Sequence, residues 1–511
     1  MKALKRMDPL SHLFLFYFYS SIIISIFFLL IITVFRRTRR LSCKCDTCRC
    51  FVTGGWTSSF PSLPDWYTHL LRRSPTSTIQ IHVLRNTVTA SPENVEYMLK
   101  TNFSNYPKGR PHSVILGDLL GRGIFVVDGH HWRFQRKLAS LELGSLSVRS
   151  FALDVLSSEI RVRLLPLFSH LAGDGSPADL QDLFRRFAFD NICRFSFGVD
   201  PVCLRKGLPV SEFAEAFDLA SRLSAERALE PAPVVWKLKR ALNLGSEKRL
   251  KEALDKINVL AETIIRERRK VGFSARKDLL SRFMASITDE KYLRDIVISF
   301  LLAGRDTVAS AITVFFLLVA QNPDVESKIR EESDRVMGQE DQAQLPTFDQ
   351  LKDLHYLHGA LHEALRLYPP VQIDSKYADV DDVLPDGTWI RKGDKVSFHP
   401  YAMGRMPQIW GPDCLEFRPE RWLDKDGIFC PVNLFKYPVF QAGFRVCLGK
   451  EMALVTMKLV CLSIVRSFDV RLVGPVGPPR FVPGLSATLK GGLRAVVRRR
   501  EWCGGRYTRI R

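Results

Sequence analysis

The longest apolar run of the chain lies near its start, at residues 13–35, where no side chain is charged. As a helix it would extend about 34 Å, which is enough to cross a bilayer core of about 30 Å. A cleaved signal peptide has a shorter apolar core followed by small residues, whereas this run ends in Arg36 and Arg37. The pattern predicts an uncleaved transmembrane anchor. The dense basic cluster after it places the body in the cytosol and residues 1–12 in the lumen.

The rest of the chain shows mainly helical periodicity of its apolar positions. The clearest helix is a long apolar one over residues 292–321, followed by Asn322 and Pro323. Alternating stretches at residues 77–84 and 389–398 predict short strands. The pattern predicts one mainly α-helical domain with small β-sheets at 61–497, a basic, cysteine-containing linker at 36–60 before it, and a basic, unstructured tail at 498–511.

Charge and cysteine content narrow the function classes. Lysine and arginine number 74 against 54 acidic residues, a formal net charge of +20. The densest basic runs follow the apolar segment and end the chain, and no nucleic-acid motif is present, so the charge favours a membrane surface over nucleic acid. The 11 cysteines include no regularly spaced framework, which favours a reducing compartment over a disulfide scaffold. The sequence has no glycine-rich nucleotide loop after a strand, no HExxH and no GxSxG, which removes several common enzyme classes.

Four cysteines are packed into eight positions of the linker, as Cys43, Cys45, Cys48 and Cys50 in the pattern CKCDTCRC. Zinc sites usually have two close pairs separated by a longer loop, so this spacing is atypical for zinc. Cysteines beside a membrane are also acylated in some proteins. A plain reduced linker, an acylation site and a metal site are the three interpretations.

The strongest chemical motif is a glycine-punctuated loop at residues 440–449, FQAGFRVCLG, which presents one cysteine ahead of a helix. Gly443 allows a backbone turn that a side chain would block, and Gly449 lets the chain pass close to a flat group. A helix that begins near Cys447 would direct its N-terminal N–H groups at the sulfur and favour the thiolate. A thiolate is the ligand that favours O–O cleavage at haem iron. A buried cysteine in a tight turn is the alternative for this cysteine taken alone.

A second motif is the pair Glu363 and Arg366, three residues apart on a helix that Pro369 and Pro370 end. The spacing places both charges on one helix face. By itself such a pair is usually a surface ion pair that contributes little. The sequence FRPER, residues 417–421, follows downstream and contains Arg421.

Two further motifs lie on predicted helices. Asp306 and Thr307 end the segment AGRDT within the long apolar helix, where a glycine and an Asp-Thr pair are costly. A carboxylate and a hydroxyl there indicate a proton path in a buried site, and a kink with a solvated face is the alternative. Trp132 and Arg136, four apart, share one helix face, which alone is typical of ordinary packing.

These motifs, in this order, resemble those of the cytochromes P-450 over nearly the whole body. The resemblance implies the single-domain, mostly helical P-450 fold with residues 61–497 as catalytic domain, haem b and O2, and electrons from NADPH through a NADPH–cytochrome P-450 reductase. Cys447 would be the axial ligand of the haem iron. Gly304 would open a groove for dioxygen, Thr307 would hydrogen-bond the activated oxygen, and Asp306 would feed protons to it. The other haem-binding residues would be Trp132, Arg136, Lys376, Phe440 and Arg445, and the structural network beneath the haem would be Glu363, Arg366 and Arg421. Phe444 stands where the family often has a smaller residue or proline.

Longer stretches resemble the plant family 94, and its C subfamily in particular, among them NYPKGRPHSVILGDLLGRGIF, FQRKLASLELGS and YPVFQAGFRVCLGKEMA. Members oxidise terminal carbons of fatty acids, and the C branch oxidises jasmonoyl-isoleucine at its far terminus, to alcohol and then carboxylate. The resemblance implies a lipid-like carboxylate substrate and a single-pass protein of the endoplasmic reticulum membrane with a cytosolic catalytic domain.

Three alternatives stay open. One is a fatty-acid omega-hydroxylase without a hormone role. Another is a haem-thiolate hydroperoxide isomerase or dehydratase, a class that tends to lack the acid–alcohol pair seen at Asp306 and Thr307. The third is a membrane-tethered binding protein that uses the four linker cysteines, which the intact cysteine loop disfavours.

Attack on a terminal methyl requires that the substrate be held end-on, because internal C–H bonds are weaker. This demands a narrow throat near the haem and a distant anchor for the carboxylate. The basic segment Lys108-Gly-Arg110, which precedes an apolar run, could hold the anionic end, with Arg110 as the residue to test, and a solvated surface loop is the alternative. The throat could be formed by Leu302, Ala303, Val371 and Gln372.

Overall fold

The computed structural model describes residues 18–22, 24–25, 43–205, 207–208, 211–230, 232–272, 276–338, 344–474, 477–482 and 484–500. Of the predicted anchor at 13–35, only 18–22 and 24–25 lie within this set, and both stretches are helical. The rest of the anchor, the predicted lumenal residues 1–12 and the tail beyond residue 500 lie outside the described residues.

Helices make up most of the body, as the sequence predicts. In chain order they are α1 Asp46–Thr53, α2 Leu63–Arg73, α3 Pro92–Glu96, α4 Gly109–Leu120, α5 Gly129–Gly144, α6 Leu146–Glu159, α7 Leu165–Asp174, α8 Leu180–Phe197, α9 Glu212–Leu229, α10 Pro233–Ala241, α11 Gly245–Val271, α12 Leu279–Met284, α13 Glu290–Leu301, α14 Thr307–Gln321, α15 Pro323–Met337, α16 Phe348–Asp353, α17 His355–Leu367, α18 Pro400–Met403, α19 Pro407–Trp410 and α20 Lys450–Ser467.

The strands are short and form small sheets at the margins of the helices. They are β1 Thr78–Ile81, β2 Asn86–Thr89, β3 Ala178–Asp179, β4 Asp374–Tyr377, β5 Asp382–Val383, β6 Trp389–Ile390, β7 Lys395–Phe398, β8 Phe468–Leu472, β9 Phe481–Val482, β10 Thr488–Leu489 and β11 Arg494–Arg499. The largest sheet has the order β1-β2-β7-β4, in which only β2 and β7 are parallel. A second sheet has the order β3-β11-β8, and β5–β6 and β9–β10 pair as two-stranded sheets. The strands predicted at 77–84 and 389–398 are present, the second as two pieces, β6 and β7.

The long apolar helix predicted at 292–321 is confirmed and runs from Glu290 to Gln321. It consists of α13, one π-helical turn at Leu302–Asp306, and α14. Among the described residues it is the one helix long and apolar enough to cross a membrane, but 78% of its most apolar window is buried inside the protein. Its second half contacts α8, α17 and α20, so we call Glu290–Gln321 the core helix.

The predicted linker at 36–60 is wrong from Cys43 onward, because this segment is folded. It contains α1 and a 3-10 turn at Gly55–Ser58. Cys48 is fully buried in the apolar cluster that includes the largest sheet. The rings of Phe51 and Trp56 stack on Trp66, with centroids 6.3 and 6.4 Å away. These apolar side chains fold the segment onto the body despite its basic surroundings.

The predicted tail is also too long, because Arg498 and Arg499 belong to strand β11, which pairs with β8. Backbone hydrogen bonds of a ladder do not depend on side-chain charge, so a run of arginines is compatible with an edge of the sheet. The next residue, Arg500, pairs with Asp469 of β8 at 3.5 Å. The domain therefore extends at least to residue 500.

Candidate active site

The cysteine loop, residues 440–449, is fixed by backbone contacts. The Cys447 N–H donates to the carbonyl of Phe440 at 2.8 Å and closes the loop. Gly443 has a φ of +61°, and a Cβ at this position would lie 2.0 Å from the carbonyl oxygen of Leu99. Glycine is therefore required here both for conformation and for space, as the sequence pattern predicts.

The surroundings of the Cys447 thiol differ from the expectation in one respect. Helix α20 begins at Lys450 with Gly449 as its N-cap, and the Gly449 N–H bonds the sulfur. Burial nevertheless raises the pKa of the thiol, and this exceeds the opposing effects of the Gly449 N–H and the charges of Arg136 and Lys450. The N–H groups at the start of α20 therefore do not by themselves outweigh the effect of burial on this thiol.

Exposed side chains in the middle of the body indicate an internal hollow beside this thiol. Cys447 is desolvated by surrounding protein and yet exposed, a combination expected of a residue on the wall of an internal space. Ala303 is likewise exposed in the middle of the otherwise buried core helix, and Thr307, one turn later on the same face, is half-buried. We infer that the loop and this helix face line the hollow.

Arg445 of the cysteine loop is held by a carboxylate and an aromatic ring. Its guanidinium donates to the Asp128 carboxylate at 2.5 Å and lies over the Trp132 ring, 4.6 Å from the centroid. Its Nε atom is buried and has no hydrogen-bond partner among the described residues. The Phe444 ring, larger than the family norm, is mostly exposed and lies 5.2 Å from that of Phe103, so the loop accommodates it.

Lys376 is fully buried and is held by a carboxylate that the sequence analysis did not single out. Its Nζ lies 2.7 Å from Asp374, and the Lys108 Nζ lies 2.6 Å from the same side chain. Burial lowers the pKa of Lys376 to about 7, against the opposing effect of Asp374. The signal was present in the sequence, because Asp374 and Lys376 are two apart on a strand and so share a face.

These groups fit a haem. Lys108, Arg136, Lys376 and Arg445 are four cations, and Asp128 and Asp374 are two carboxylates, so the set carries a net charge of +2 when fully ionised. Two propionates would neutralise it, and the unpartnered Nε of Arg445 is a donor ready for one of them. The thiol on the wall of the same hollow completes the donor set, since haem iron accepts a cysteine thiolate.

The predicted ion-pair network is assembled and buried. Glu363 accepts two hydrogen bonds from Arg366, both at 2.7 Å, and one from Arg421 at 3.3 Å. Trp422, which the sequence analysis missed, donates to the same carboxylate at 2.9 Å. Arg366 also donates to the carbonyl of Cys414 at 2.7 Å, so the network joins α17 to the chain that leads to the cysteine loop.

The AGRDT segment forms the π turn of the core helix, a distortion frequent at functional sites. The Thr307 hydroxyl donates to the carbonyl of Ala303 at 2.5 Å. A Cβ at Gly304 would lie 2.4 Å from the Ile192 side chain, so glycine is required here for close packing against α8.

Asp306 is buried and points away from Thr307, into a chain of ion pairs. Burial raises the pKa of Asp306, against the opposing charge of Arg305, whose guanidinium lies 2.9 Å away. Arg305 also pairs with Asp218 at 2.6 Å, and Asp218 pairs with Arg185 at 3.1 Å. Asp306, Asp218 and Arg185 line one cavity of about 340 Å³, and Asp218 is partly exposed. The carboxylate is thus connected to solvent. The sequence analysis did not predict Arg305 as the direct partner of Asp306, because it assigned roles only to the neighbouring residues Gly304, Asp306 and Thr307.

The residues predicted to form a throat have different surroundings. Leu302 packs partly against the apolar cluster of α4 and α13, while Ala303 is exposed toward the hollow. Val371 and Gln372 are half-buried just before β4, and the Gln372 side-chain nitrogen is buried without a hydrogen-bond partner among the described residues. Ile373, which follows them, is 37% exposed although it is apolar, and it joins this stretch as a candidate wall residue.

The basic segment at 108–110 is not a surface loop. Lys108 is buried by its pairing with Asp374, and the backbone N–H groups of Lys108 and Gly109 donate to Asp128 at 3.0 and 2.8 Å. Lys108 therefore belongs to the cationic set around the haem position rather than to a distant anchor. Arg110 lies in the first turn of α4 and is exposed.

Comparison with known proteins agrees with this arrangement. The family model described as cytochrome P-450 matches residues 67–492. Cytochrome P-450 94C1 of Arabidopsis thaliana is 55% identical over 490 residues, which cover 94% of this chain and 99% of that protein. Cytochrome P-450 94B3 of the same plant is 49% identical over 86% of this chain and 88% of its own. Cytochrome P-450 94A1 of Vicia sativa is 42% identical over 85% of this chain and 86% of its own.

Proposed function

Since this chain belongs to the cytochrome P-450 family, within the plant family 94, and is therefore a haem-dependent monooxygenase, we propose that it hydroxylates the terminal carbon of jasmonoyl-isoleucine, of fatty acids, or of both, and oxidises it further to the carboxylate. The observation that carries the proposal is the 55% identity to cytochrome P-450 94C1 over nearly the full length of both chains, against 42% to 94A1. The resemblance to the C branch names the hormone conjugate as the first substrate to test.

Cys447 would ligate the haem iron, and Arg445, Arg136, Lys376 and Trp132 would hold the propionates. When bound, the haem supplies the iron at which dioxygen is activated with electrons from NADPH through a reductase. Asp374 and Asp128 keep the cations in place before the haem arrives, because each carboxylate holds a lysine or arginine at 2.5–2.7 Å. The Glu363 network stabilises the chain beneath the cysteine loop.

Thr307 would act on the oxygen side of the hollow. The Thr307 hydroxyl donates its hydrogen to the Ala303 carbonyl. The lone pairs of the hydroxyl oxygen therefore remain available to accept a hydrogen bond from water or from a protonated oxygen species. A hydroxyl fixed in this way holds its partner in one position, which favours delivery of the next proton to the correct atom.

Asp306 would deliver that proton from the solvent side. Burial raises the pKa of its carboxyl, so this residue holds a proton more readily than an ordinary aspartate. Rotation of the Asp306 side chain from Arg305 toward the hollow would carry the proton across the π turn. The Arg305–Asp218–Arg185 chain leads to the partly exposed side of the 340 Å³ cavity, where the proton is replaced.

Selectivity for the chain end would come from the apolar walls beside the thiol. Ala303 is the smallest side chain on its helix face, and Ile373 presents an apolar surface next to β4. A methyl terminus fits between such groups more readily than a bent internal methylene. The carboxylate end would lie far from the iron, with Arg110 as the candidate cation.

The test is reconstitution of the full-length protein with a plant NADPH–cytochrome P-450 reductase and mass analysis of products from jasmonoyl-isoleucine and from a twelve-carbon fatty acid. We expect NADPH-dependent addition of one oxygen at the terminal carbon, followed by the acid. Products hydroxylated at internal carbons only would exclude the end-on arrangement. Turnover of the fatty acid alone would assign the protein as a general omega-hydroxylase.

A haem-thiolate isomerase or dehydratase is the second candidate. Such an enzyme needs no reductase, so incubation with a fatty-acid hydroperoxide without NADPH distinguishes it. The buried Asp306 and its solvent connection favour the monooxygenase, because an isomerase has no use for protons from outside.

We also propose a single-pass location in the endoplasmic reticulum membrane with the body in the cytosol. Deletion of residues 1–40 should release the protein from membranes and leave haem incorporation intact. Retention at high salt would point to a second attachment surface, for which α10 offers exposed Val234, Val235 and Leu238.

A further inference from the structure

Three thiols lie together at the start of the described body, far in sequence from Cys447. The sulfur atoms of Cys43, Cys45 and Cys48 all lie within 4.8 Å of one another, and those of Cys43 and Cys45 are 3.4 Å apart. Among the residues that the structure describes, no other group of three or more His, Cys, Asp or Glu side chains is placed to hold a metal ion. We call these three residues the thiol cluster.

The local fold brings the thiol cluster together for a physical reason. Cys45 is the N-cap of α1, and its sulfur accepts the backbone N–H of Cys48 at 3.4 Å. This bond places the first turn of the helix so that Cys48 faces back toward Cys45. Cys43 precedes the cap by two residues and reaches the same point from the other side. N–H groups at a helix start favour negative charge on the capping sulfur.

The three thiols differ in their exposure to solvent. Cys48 is fully buried in the apolar cluster that contains Trp66 and Tyr67, Cys43 is half-buried, and Cys45 is exposed. The exposed side leaves room for a fourth ligand from solvent.

The spacing suits a small thiophilic ion. In a tetrahedral site with Zn–S bonds of 2.3 Å, the sulfur atoms are about 3.8 Å apart, and here they are separated by 3.4 Å for Cys43 and Cys45 and by no more than 4.8 Å for any pair. A disulfide needs about 2.05 Å, which is much shorter than the 3.4 Å contact. Three sulfur ligands select Zn²⁺ or Cu⁺ over Mg²⁺ or Ca²⁺.

We propose that Cys43, Cys45 and Cys48 bind one Zn²⁺ ion, with water as fourth ligand, and that this ion fixes the first turn of α1 in the conformation that buries Cys48 in the body. Three thiols lose their protons to solvent as three S–Zn bonds form, and no oxidant or reductant is involved. The site is structural, since it lies in the apolar cluster of the largest sheet and not in the haem hollow.

The experiment uses the full-length haem protein, purified under reducing conditions without a metal-binding tag, equilibrated with Zn²⁺ and passed through gel filtration. Elemental analysis gives zinc per haem. We expect one zinc in the wild type and less than a tenth of that in Cys45→Ser, whose exposed side chain is the least demanding to replace. Cys50→Ser is the matched control, because Cys50 is in the same helix but lies against Gly55, outside the thiol cluster. It should keep one zinc.

A second measurement keeps the proposal testable if a variant folds poorly. Alkylation of wild-type protein followed by mass analysis should show Cys43, Cys45 and Cys48 protected by zinc and released by a chelator, with the haem spectrum unchanged. Absence of zinc from the wild type, equal loss in Cys50→Ser and Cys45→Ser, or an acyl group on these cysteines would each overturn the proposal.

Discussion

The thiol of Cys447 and the thiol cluster occupy opposite kinds of surroundings. Cys447 stands alone on the wall of a hollow, and the charged side chains near it are a shell of cations held by Asp128 and Asp374. Cys43, Cys45 and Cys48 have one another as neighbours, at the border of an apolar cluster. An isolated sulfur atom supplies one ligand to a metal ion, so the other ligands must come from a large planar group that has its own donor atoms. A group of sulfurs can enclose a small ion.

The largest effect expected is that of Cys447→His. A neutral imidazole does not donate charge to iron as a thiolate does, so the reduced carbon monoxide complex should lose the thiolate-type spectrum, and activity should disappear. Zinc content should not change. Cys430→Ser, which alters an exposed cysteine of the same region, is the control. A thiolate-type spectrum that persists in Cys447→His would place the ligand elsewhere.

Arg366→Met should affect the haem site and the thiol cluster differently, because it lowers the stability of the part of the fold that holds the haem. It leaves Glu363 buried with fewer partners, and removal of one partner of a buried ion pair costs about 3–5 kcal/mol. We expect a lower denaturation midpoint and reduced haem content. Zinc binding should persist, because the thiol cluster lies in another apolar cluster. Arg418→Met, which breaks the exposed pair with Asp413, should shift the midpoint much less. Equal shifts in the two variants would contradict the assigned role of the network.

Thr307→Ala tests the wall of the hollow opposite the cysteine loop. Loss of the hydroxyl should divert reducing equivalents to hydrogen peroxide, with about a hundredfold more hydrogen peroxide per product, the lower end of what a positioned proton-transfer group contributes. Thr313→Ala is the matched control, because the Thr313 hydroxyl makes the same contact with the carbonyl four residues back, at 2.7 Å, within the buried core helix. The ratio of NADPH consumed to product formed measures the effect. If the ratio of NADPH consumed to product formed is unchanged in Thr307→Ala, Thr307 has no role on the oxygen side of the hollow.

The smallest effect expected is that of Arg110→Glu on the entrance to the hollow. Exposed charges contribute little, so KM for free acids and for the hormone conjugate should rise about two- to fivefold. The methyl esters should be unaffected, because they carry no charge at that end. Lys251→Glu, which changes an exposed cation of α11, serves as control. A similar rise for acid and ester would exclude Arg110 from the carboxylate site.

Much of the catalytic framework could be predicted from short spacings. The loop around Cys447, the Glu363–Arg366 pair and the core helix are local patterns, and each requires particular residue types at adjacent turns. The partners of Lys376 and Asp306 could not be found in this way, because Asp374, Lys108 and Arg305–Asp218 come together through pairings between distant segments. Gly304 was assigned a role in oxygen binding, yet only the packing of α8 reveals that Ile192 takes the space.

The sequence by itself determined that one cysteine lies in a glycine-shaped loop before a helix, that a long apolar helix carries Asp306 and Thr307, and that an uncharged run lies near the start of the chain. These are properties of neighbouring residues, governed by backbone conformation and periodicity. Tertiary structure alone decided that the basic segment after the predicted anchor folds onto the body, that its thiols meet, and that Lys108 turns inward to Asp374. Burial and long-range pairing of charges fix these outcomes, and neither is a property of neighbouring residues alone.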